Sequence, residues 1–138
     1  MKIHSFKFYE KGLKRFFGPL ESKVLDILWT HPNQSIKEVQ KKLEQQDEHL
    51  NFNTVMTVMN RLVDKGVLMK KQAGRASVYE PVHSKEHFLD IQSREIAHEL
   101  LEDFGPLVVN HMLDALEEAD AEMIEKLEQK IKDLKKER

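Results

Sequence analysis

The chain contains no cysteine. That excludes disulfides, Cys-based zinc sites, iron–sulfur clusters and thiol nucleophiles, and it fits a reducing compartment. Chain breakers are scarce as well. Five Gly and four Pro among 138 residues, with 40% hydrophobic residues, describe a folded, helix-rich protein rather than a disordered one. No apolar run approaches the length of a membrane span, and the opening MKIHSFKFYEKGLKRFF lacks the uninterrupted apolar centre of a signal peptide. A cytoplasmic protein with no membrane partner is expected. Catalytic signatures are missing too: there is no G-x-S-x-G, no phosphate-binding glycine loop and no helical H-E-x-x-H. Paired carboxylates such as Glu117-Glu118 lie in an acidic helical stretch as solvated charge, so the sequence points away from an enzyme.

The length suits one compact domain, or a small domain with an attached helical element. Net charge is only −2, but this near-balance hides a division. Up to Val82 there are 14 Lys and Arg against 9 Asp and Glu, which gives +5; from His83 onward there are 8 against 15, which gives −7. A basic first part suits a polyanionic partner and an acidic second part repels one, so a nucleic-acid surface is expected before residue 83.

Hydrophobic periodicity divides the first part into three short helices. "GPLESKVLDILWTHP" (18–32) has Pro19 in a first turn and Leu20, Val24, Ile27 and Leu28 on one face, and it stops at His31-Pro32. "SIKEVQKKLEQQ" (35–46) opens with Ser35 and Glu38 in the S-x-x-E capping arrangement and carries the stripe Ile36, Val39, Leu43. "NFNTVMTVMNRLVDKG" (51–66) has Val55, Val58, Met59 and Leu62 at helical spacing, with Asn53 as expected N-cap and Gly66 as C-terminal stop. The period then changes. "VLMKKQ" and "ASVYEPV" read as strands joined through a glycine-bearing turn. Three helices followed by a hairpin is the order of a winged helix-turn-helix, whose third helix enters a DNA major groove.

That order gives the polar face of the third helix a purpose. Thr54, Thr57 and Arg61, at i, i+3 and i+7, form one row, and arginine and threonine side chains can discriminate base edges. Lys65, Lys70, Lys71 and Arg75 are candidates to neutralise phosphates. Ser35 and Asn53, as caps, would leave backbone amides at positive helix ends where a phosphate can sit. The extension 1–17 places Lys2, Lys7, Lys11, Lys14 and Arg15 among Phe6, Phe8, Tyr9, Phe16 and Phe17. It reads as an amphipathic arm that packs Phe6, Phe16 and Phe17 on the body while its lysines reach DNA.

Beyond Pro81 the signals are helical only. "SKEHFLDIQSREIAHELLEDF" (84–104) ends at Gly105-Pro106, "LVVNHMLDALEEA" follows, and "DAEMIEKLEQKIKDLKKER" repeats Ile124, Leu127, Ile131 and Leu134 in a narrow seam. Such stripes bury little within one chain, so pairing with a second copy is expected through Phe88, Ile91, Leu100, Leu101, Ile124, Leu127, Ile131 and Leu134. The expected architecture is mainly α with a small β-hairpin wing: an extension (1–17), a winged-helix DNA-binding domain (18–82) and a helical dimerisation domain (83–138). Seven histidines invite a metal or haem reading. His83 and His87 are four apart and could share a helical face, His98 and His111 could approach in a dimer, and His4 or Tyr9 could serve a haem. Two histidines make an incomplete site, however, so no cofactor is expected.

The blocks "PLESKVLDILW", "SIKEVQKKL", "NTVMTVMNRLVDKGVL" and "GRASVYEPV" resemble the penicillinase-repressor (BlaI/MecI/CopY) family of bacterial transcription factors over residues 18–136, and T-V-M-T-V-x-x-R-L-x-x-K-G followed by G-R-x-x-x-Y is the most specific part. The resemblance implies a homodimer of winged-helix subunits joined by C-terminal helices, repressing transcription from a dyad-symmetric operator whose half-sites contain a TACA/TGTA core. It also implies inactivation by a regulatory protease or sensor protein through cleavage at an Asn-Phe bond in a segment like "LVLNF". Here the segment reads "LVVNH", with Asn110 before His111. The copper-responsive branch uses a C-terminal Cys-x-Cys pair, which this chain lacks. Two other readings stand beside repression released by an unidentified signal: a metal- or haem-responsive repressor using histidines, and a protein-protein adaptor built on a winged helix.

Overall fold

Proline, with its fixed φ and missing donor, is at home in a first helical turn. In the computed structural model, which describes residues 6, 7 and 9–138, helix α1 (Pro19–Thr30) begins on Pro19 with Gly18 as N-cap. Lys2, His4 and Phe8, named above, lie outside the described residues. Helix α1 ends where Pro32 forces the preceding residue out of the helical region, His31 standing at φ −130° and ψ 87°. Val24, Leu25, Ile27 and Leu28 are buried along it, whereas Leu20 is only half-buried. Helix α2 (Ile36–Gln45) opens with the reciprocal cap: the Glu38 amide donates to Ser35 Oγ at 3.2 Å and the Ser35 amide to Glu38 Oε1 at 3.1 Å.

Helix α3 (Phe52–Asp64) starts earlier than its sequence suggested. Asn51, not Asn53, is the N-cap, its Oδ1 accepting from the Thr54 amide at 2.8 Å. Both asparagines are competent caps, and the earlier start adds hydrogen-bonded residues to the helix. Its end is as expected. Gly66 takes φ 77°, the Val67 amide donates to the Leu62 carbonyl at 3.0 Å and the Gly66 amide to the Val63 carbonyl at 2.9 Å, which closes the last turn. Strands β1 (Leu68–Ala73) and β2 (Ala76–Pro81) then pair antiparallel from Leu68 opposite Pro81 to Ala73 opposite Ala76. The two-residue connection Gly74-Arg75 needs the positive φ of 65° that Gly74 supplies.

Tyr79 joins these pieces. It is fully buried, its amide donates to the Gln34 carbonyl at 2.9 Å, its carbonyl accepts from the Gln34 amide at 3.2 Å, and its hydroxyl donates to Asn60 Oδ1 at 3.0 Å. The hairpin thus gains a third rung from the loop before α2 and a tie to α3.

Three residues before α1 belong to this core. A 3-10 turn over Gly12–Arg15 carries Leu13, and Leu13, Phe16 and Phe17 are buried; Phe6 lies 5.4 Å from Phe16 between ring centroids. Phe88, expected at a dimer face, is corrected by the structure. It is 1% exposed, stacked on Phe17 at 5.5 Å and 5.8 Å from both Phe16 and Trp29. Aromatic rings from its own chain already remove it from water, which leaves nothing for a partner to cover. The first unit accordingly extends through Phe88, beyond Val82, and Trp29 Nε1 donates to the His83 carbonyl within it at 2.9 Å.

Helix α4 (Lys85–Phe104) begins in that unit and runs into a second one that starts at Leu89. Gly105 separates it from α5 (Pro106–Ala115), a 3-10 turn over Leu116–Glu118 follows, and α6 (Ala121–Lys136) is capped by Asp120, whose Oδ1 accepts from the Met123 amide at 2.8 Å. Neither α5 nor α6 has a buried residue. Leu101, Phe104, Leu107, Met112, Ile124, Ile131 and Leu134 are exposed, and Ile91, Leu100 and Leu127 are half-buried. Among the described residues no helix is long and apolar enough to cross a membrane.

Removing the Phe88 ring tests its reassignment. Phe88→Ala is expected to destabilise the chain by about 3–5 kcal/mol, as emptying a buried aromatic site does. Chemical denaturation followed by circular dichroism reads the loss, and sedimentation equilibrium should return the same assembly mass as for the unaltered chain.

Candidate nucleic-acid interface

An amphipathic helix is rotated by the side chains it must hide. Val55, Met59 and Leu62 of α3 have no exposed surface and Val58 has 7%, so the opposite side of the helix is left facing out. Thr57 and Arg61 are exposed there and Thr54 is half-buried, so the expected row is a real one. With Leu20, Asn51, Asn53 and Val58 these three residues line a shallow groove of about 470 Å³.

The start of α3 is anchored by contacts with the two helices before it. Gln40 Nε2 of α2 donates to the Leu50 carbonyl at 2.9 Å, Lys23 of α1 forms an ion pair with Glu48, and the Asn51 cap follows. These contacts fix where the backbone of α3 begins.

Each side chain in the row has a definite hydrogen-bonding capacity. Thr57 Oγ1 donates to the Asn53 carbonyl at 2.8 Å. Its one proton is engaged, so the residue offers its methyl group and acceptor lone pairs outward. The Arg61 side chain has no hydrogen bond or ion pair among the described residues, and its five donors are free. Asn53, released from capping, is exposed in the first turn with a free side-chain amide, the group that pairs with an adenine edge as arginine pairs with guanine. It therefore stands in the outward row of α3 rather than at its cap.

The basic residues divide. Lys65 is withdrawn from the phosphate-contacting set: its Nζ lies 2.8 Å from Glu21 Oε2 and 5.6 Å over the Phe17 ring, with side chains 33% and 12% exposed for the lysine and glutamate. As the C-cap of α3 it is directed back against α1. Lys70 and Lys71 are exposed on β1, Lys70 standing 5.8 Å from the Tyr79 ring and Lys71 paired with Glu80, contacts weak enough to be exchanged for a phosphate. Arg75 is exposed at the hairpin tip, and Ser35 is half-buried and engaged in its cap.

His83 and His87 have ring centroids 4.7 Å apart, but among the described residues no three His, Cys, Asp or Glu side chains converge. Asn110 and His111 are exposed within α5. The internal role of Lys65 has a measurable consequence. Lys65→Met leaves the Glu21 carboxylate largely desolvated and unpaired, and a stability loss of about 1–2 kcal/mol in thermal denaturation is expected, against less than about 0.5 kcal/mol for Lys70→Ala.

Comparison with known proteins bears on the same residues. The family profile described as penicillinase repressor matches residues 17–133. The transcriptional regulator BlaI of Mycobacterium tuberculosis (strain CDC 1551 / Oshkosh) is 34% identical over 73 residues, which span 52% of this chain and about half, 52%, of that protein. The penicillinase repressor of Bacillus licheniformis is 28% identical over 93 residues, 67% of this chain and 69% of its own. A solution structure of the DNA-binding domain of the repressor BlaI aligns with a TM-score of 0.45 at 28% identity, over 54% of this chain and 89% of that one. Because the profile takes in the three short helices, the hairpin and the C-terminal helices together, the chain belongs to the penicillinase repressor family.

Proposed function

We propose that this protein is a sequence-specific DNA-binding transcriptional repressor that acts in the cytoplasm as a homodimer on a dyad-symmetric operator. The observation that carries the reading is the outward row of Asn53, Thr54, Thr57 and Arg61 on a helix whose other face is buried. With α3 in the major groove, its first turn and the Arg61 fork meet base edges, while Lys70, Lys71 and Arg75 on the hairpin and the capped start of α2 at Ser35 meet phosphates. The names of the matched relatives, a transcriptional regulator and a penicillinase repressor, support the same role. No step in it requires catalysis or a cofactor.

Dimerisation is supported by the second unit. Its helices α5 and α6 bury no residue, and Leu101, Phe104, Leu107, Met112, Ile124, Ile131 and Leu134 are left in water. A second copy supplies matching apolar surface and sets two α3 helices about 34 Å apart, one turn of the duplex. The excess of acidic residues in this unit keeps it off the DNA. Release belongs to the proposal as an external step by a regulatory protease or sensor protein, for which Asn110-His111 is an exposed target within α5.

An operator selected from a random duplex library tests the base-reading row. Arg61→Ala should weaken binding to the selected site by about 1–3 kcal/mol and leave binding to unrelated DNA nearly unchanged. Equal losses on both would refute base reading by Arg61. Arg75→Ala should weaken both and lower the slope of log affinity against log salt by about 0.9. The paired substitution Ile131→Asp and Leu134→Asp is expected to yield a folded monomer in sedimentation and to cost roughly 100-fold in operator affinity. A dimer that survives it removes α6 from the interface.

A further inference from the structure

The side of α3 opposite its buried stripe holds a further polar residue beside the row described above. Asn60 comes seven positions after Asn53 and three after Thr57, which sets it on the same side of the helix. It is half-buried, and the two ends of its amide meet different surroundings. Oδ1 accepts from the Tyr79 hydroxyl at 3.0 Å, whereas Nδ2 has no partner among the described residues and keeps access to solvent. The phenol cannot follow a moving amide, because Tyr79 is fully buried and its main chain is bonded to Gln34 in both directions. Nor can the amide turn over freely. With Nδ2 against the phenol, the hydroxyl would accept a hydrogen bond, and its own buried proton would lose the acceptor it now has. Asn60 therefore shows the outside two N–H donors and no acceptor.

We propose that Asn60, held in this orientation by Tyr79, selects a keto base, guanine or thymine, at one position of each operator half-site. The proposal rests on the reading that α3 lies in the major groove. There guanine presents O6 and N7 as acceptors and thymine presents O4, while adenine sets an amino donor beside N7 and cytosine presents an amino donor alone. A free asparagine pairs with adenine by using its donor and its acceptor together. Asn60 has its acceptor committed to the phenol, so adenine is a poor match for it and cytosine, a donor facing donors, the worst. Asn53, whose amide is free at both ends, keeps the opposite capacity, and one helix face thus carries two asparagines with different tastes. Tyr79 has no surface of its own and touches no base; it is a positioning residue that acts through Asn60.

Fluorescence anisotropy of the full chain and its variants on a selected operator, and on every single-base replacement of it, tests the proposal. Each preference is a ratio of affinities within one variant, so a general loss of affinity cancels. The unaltered chain is expected to favour guanine or thymine over cytosine by about ten-fold at one position of the half-site. Asn60→Asp keeps an acceptor for the phenol but turns an oxygen outward in place of the amine, and it should reverse that preference toward cytosine while the other positions stay as they were. Asn60→Ala should abolish the preference there. Tyr79→Phe frees the amide to turn over, so the preference should fall to about two-fold at that position alone, a change that a loosened fold, weakening all duplexes alike, does not produce. Should Tyr79→Phe fail to fold, the two Asn60 variants decide by themselves. Preferences that both leave unchanged, or equal losses on every duplex, overturn the role of Asn60. If Arg61→Ala flattens a preference on the same duplexes and Asn60→Asp alters none, Asn60 alone is wrong; if neither substitution alters any, α3 does not read bases and the wider reading falls with it.

Discussion

A tyrosine with no surface in water must give its hydroxyl a partner inside the protein. Tyr79 gives it to Asn60 on α3, and its main chain is bonded in both directions to Gln34. One residue of β2 therefore ties the hairpin, the loop before α2 and α3. The wing cannot swing without breaking the bond to α3, and α3 cannot roll without leaving the hydroxyl unpaired. Its rotation is set in addition by Val55, Val58, Met59 and Leu62 beneath it. The relation between the basic hairpin and the polar row on α3 is a by-product of packing a phenol.

The two units solve the burial problem differently. The first is closed by aromatic rings: Phe16, Phe17, Trp29 and Phe88 meet with centroids within 5.8 Å of Phe88. In the second, helices α5 and α6 carry apolar residues and bury none of them. A capped helix such as α6, with Asp120 at its start and Lys135 and Lys136 near its end, is locally well formed. Yet most helical stability in proteins comes from packing an apolar face. The two parts of the sequence also differ in charge, basic before residue 83 and acidic after it.

Much of the fold could be read from local pattern because local interactions decide it. The stripes of α2 and α3, the Ser35–Glu38 cap, the stop at Gly66, the Gly74-Arg75 turn and the break at Gly105 each depend on residues a few positions apart. The outward row was readable for the same reason, since period and burial are one fact seen twice. What escaped depends on distant partners. Lys65 looks like any surface lysine until Glu21, far earlier in the chain, is brought against it, and Phe88 looks like part of a helical stripe until Phe16 and Phe17 arrive. The pairing of Gln34 with Tyr79 has no trace in composition or period. The exchange of roles between Asn51 and Asn53 is a different kind of miss, two equivalent local solutions of which the fold takes the one that lengthens the helix.

The hydrogen bond from Trp29 to the His83 carbonyl has a practical corollary. This is the only indole in the chain, and it sits against Phe88, just ahead of the point where α4 begins. Indole emission shifts with its hydrogen bonding and its surroundings, so the molecule carries its own optical gauge at the root of the helix that leads into the second unit. Movement there, whatever provokes it, is reported in colour and intensity without any attached label.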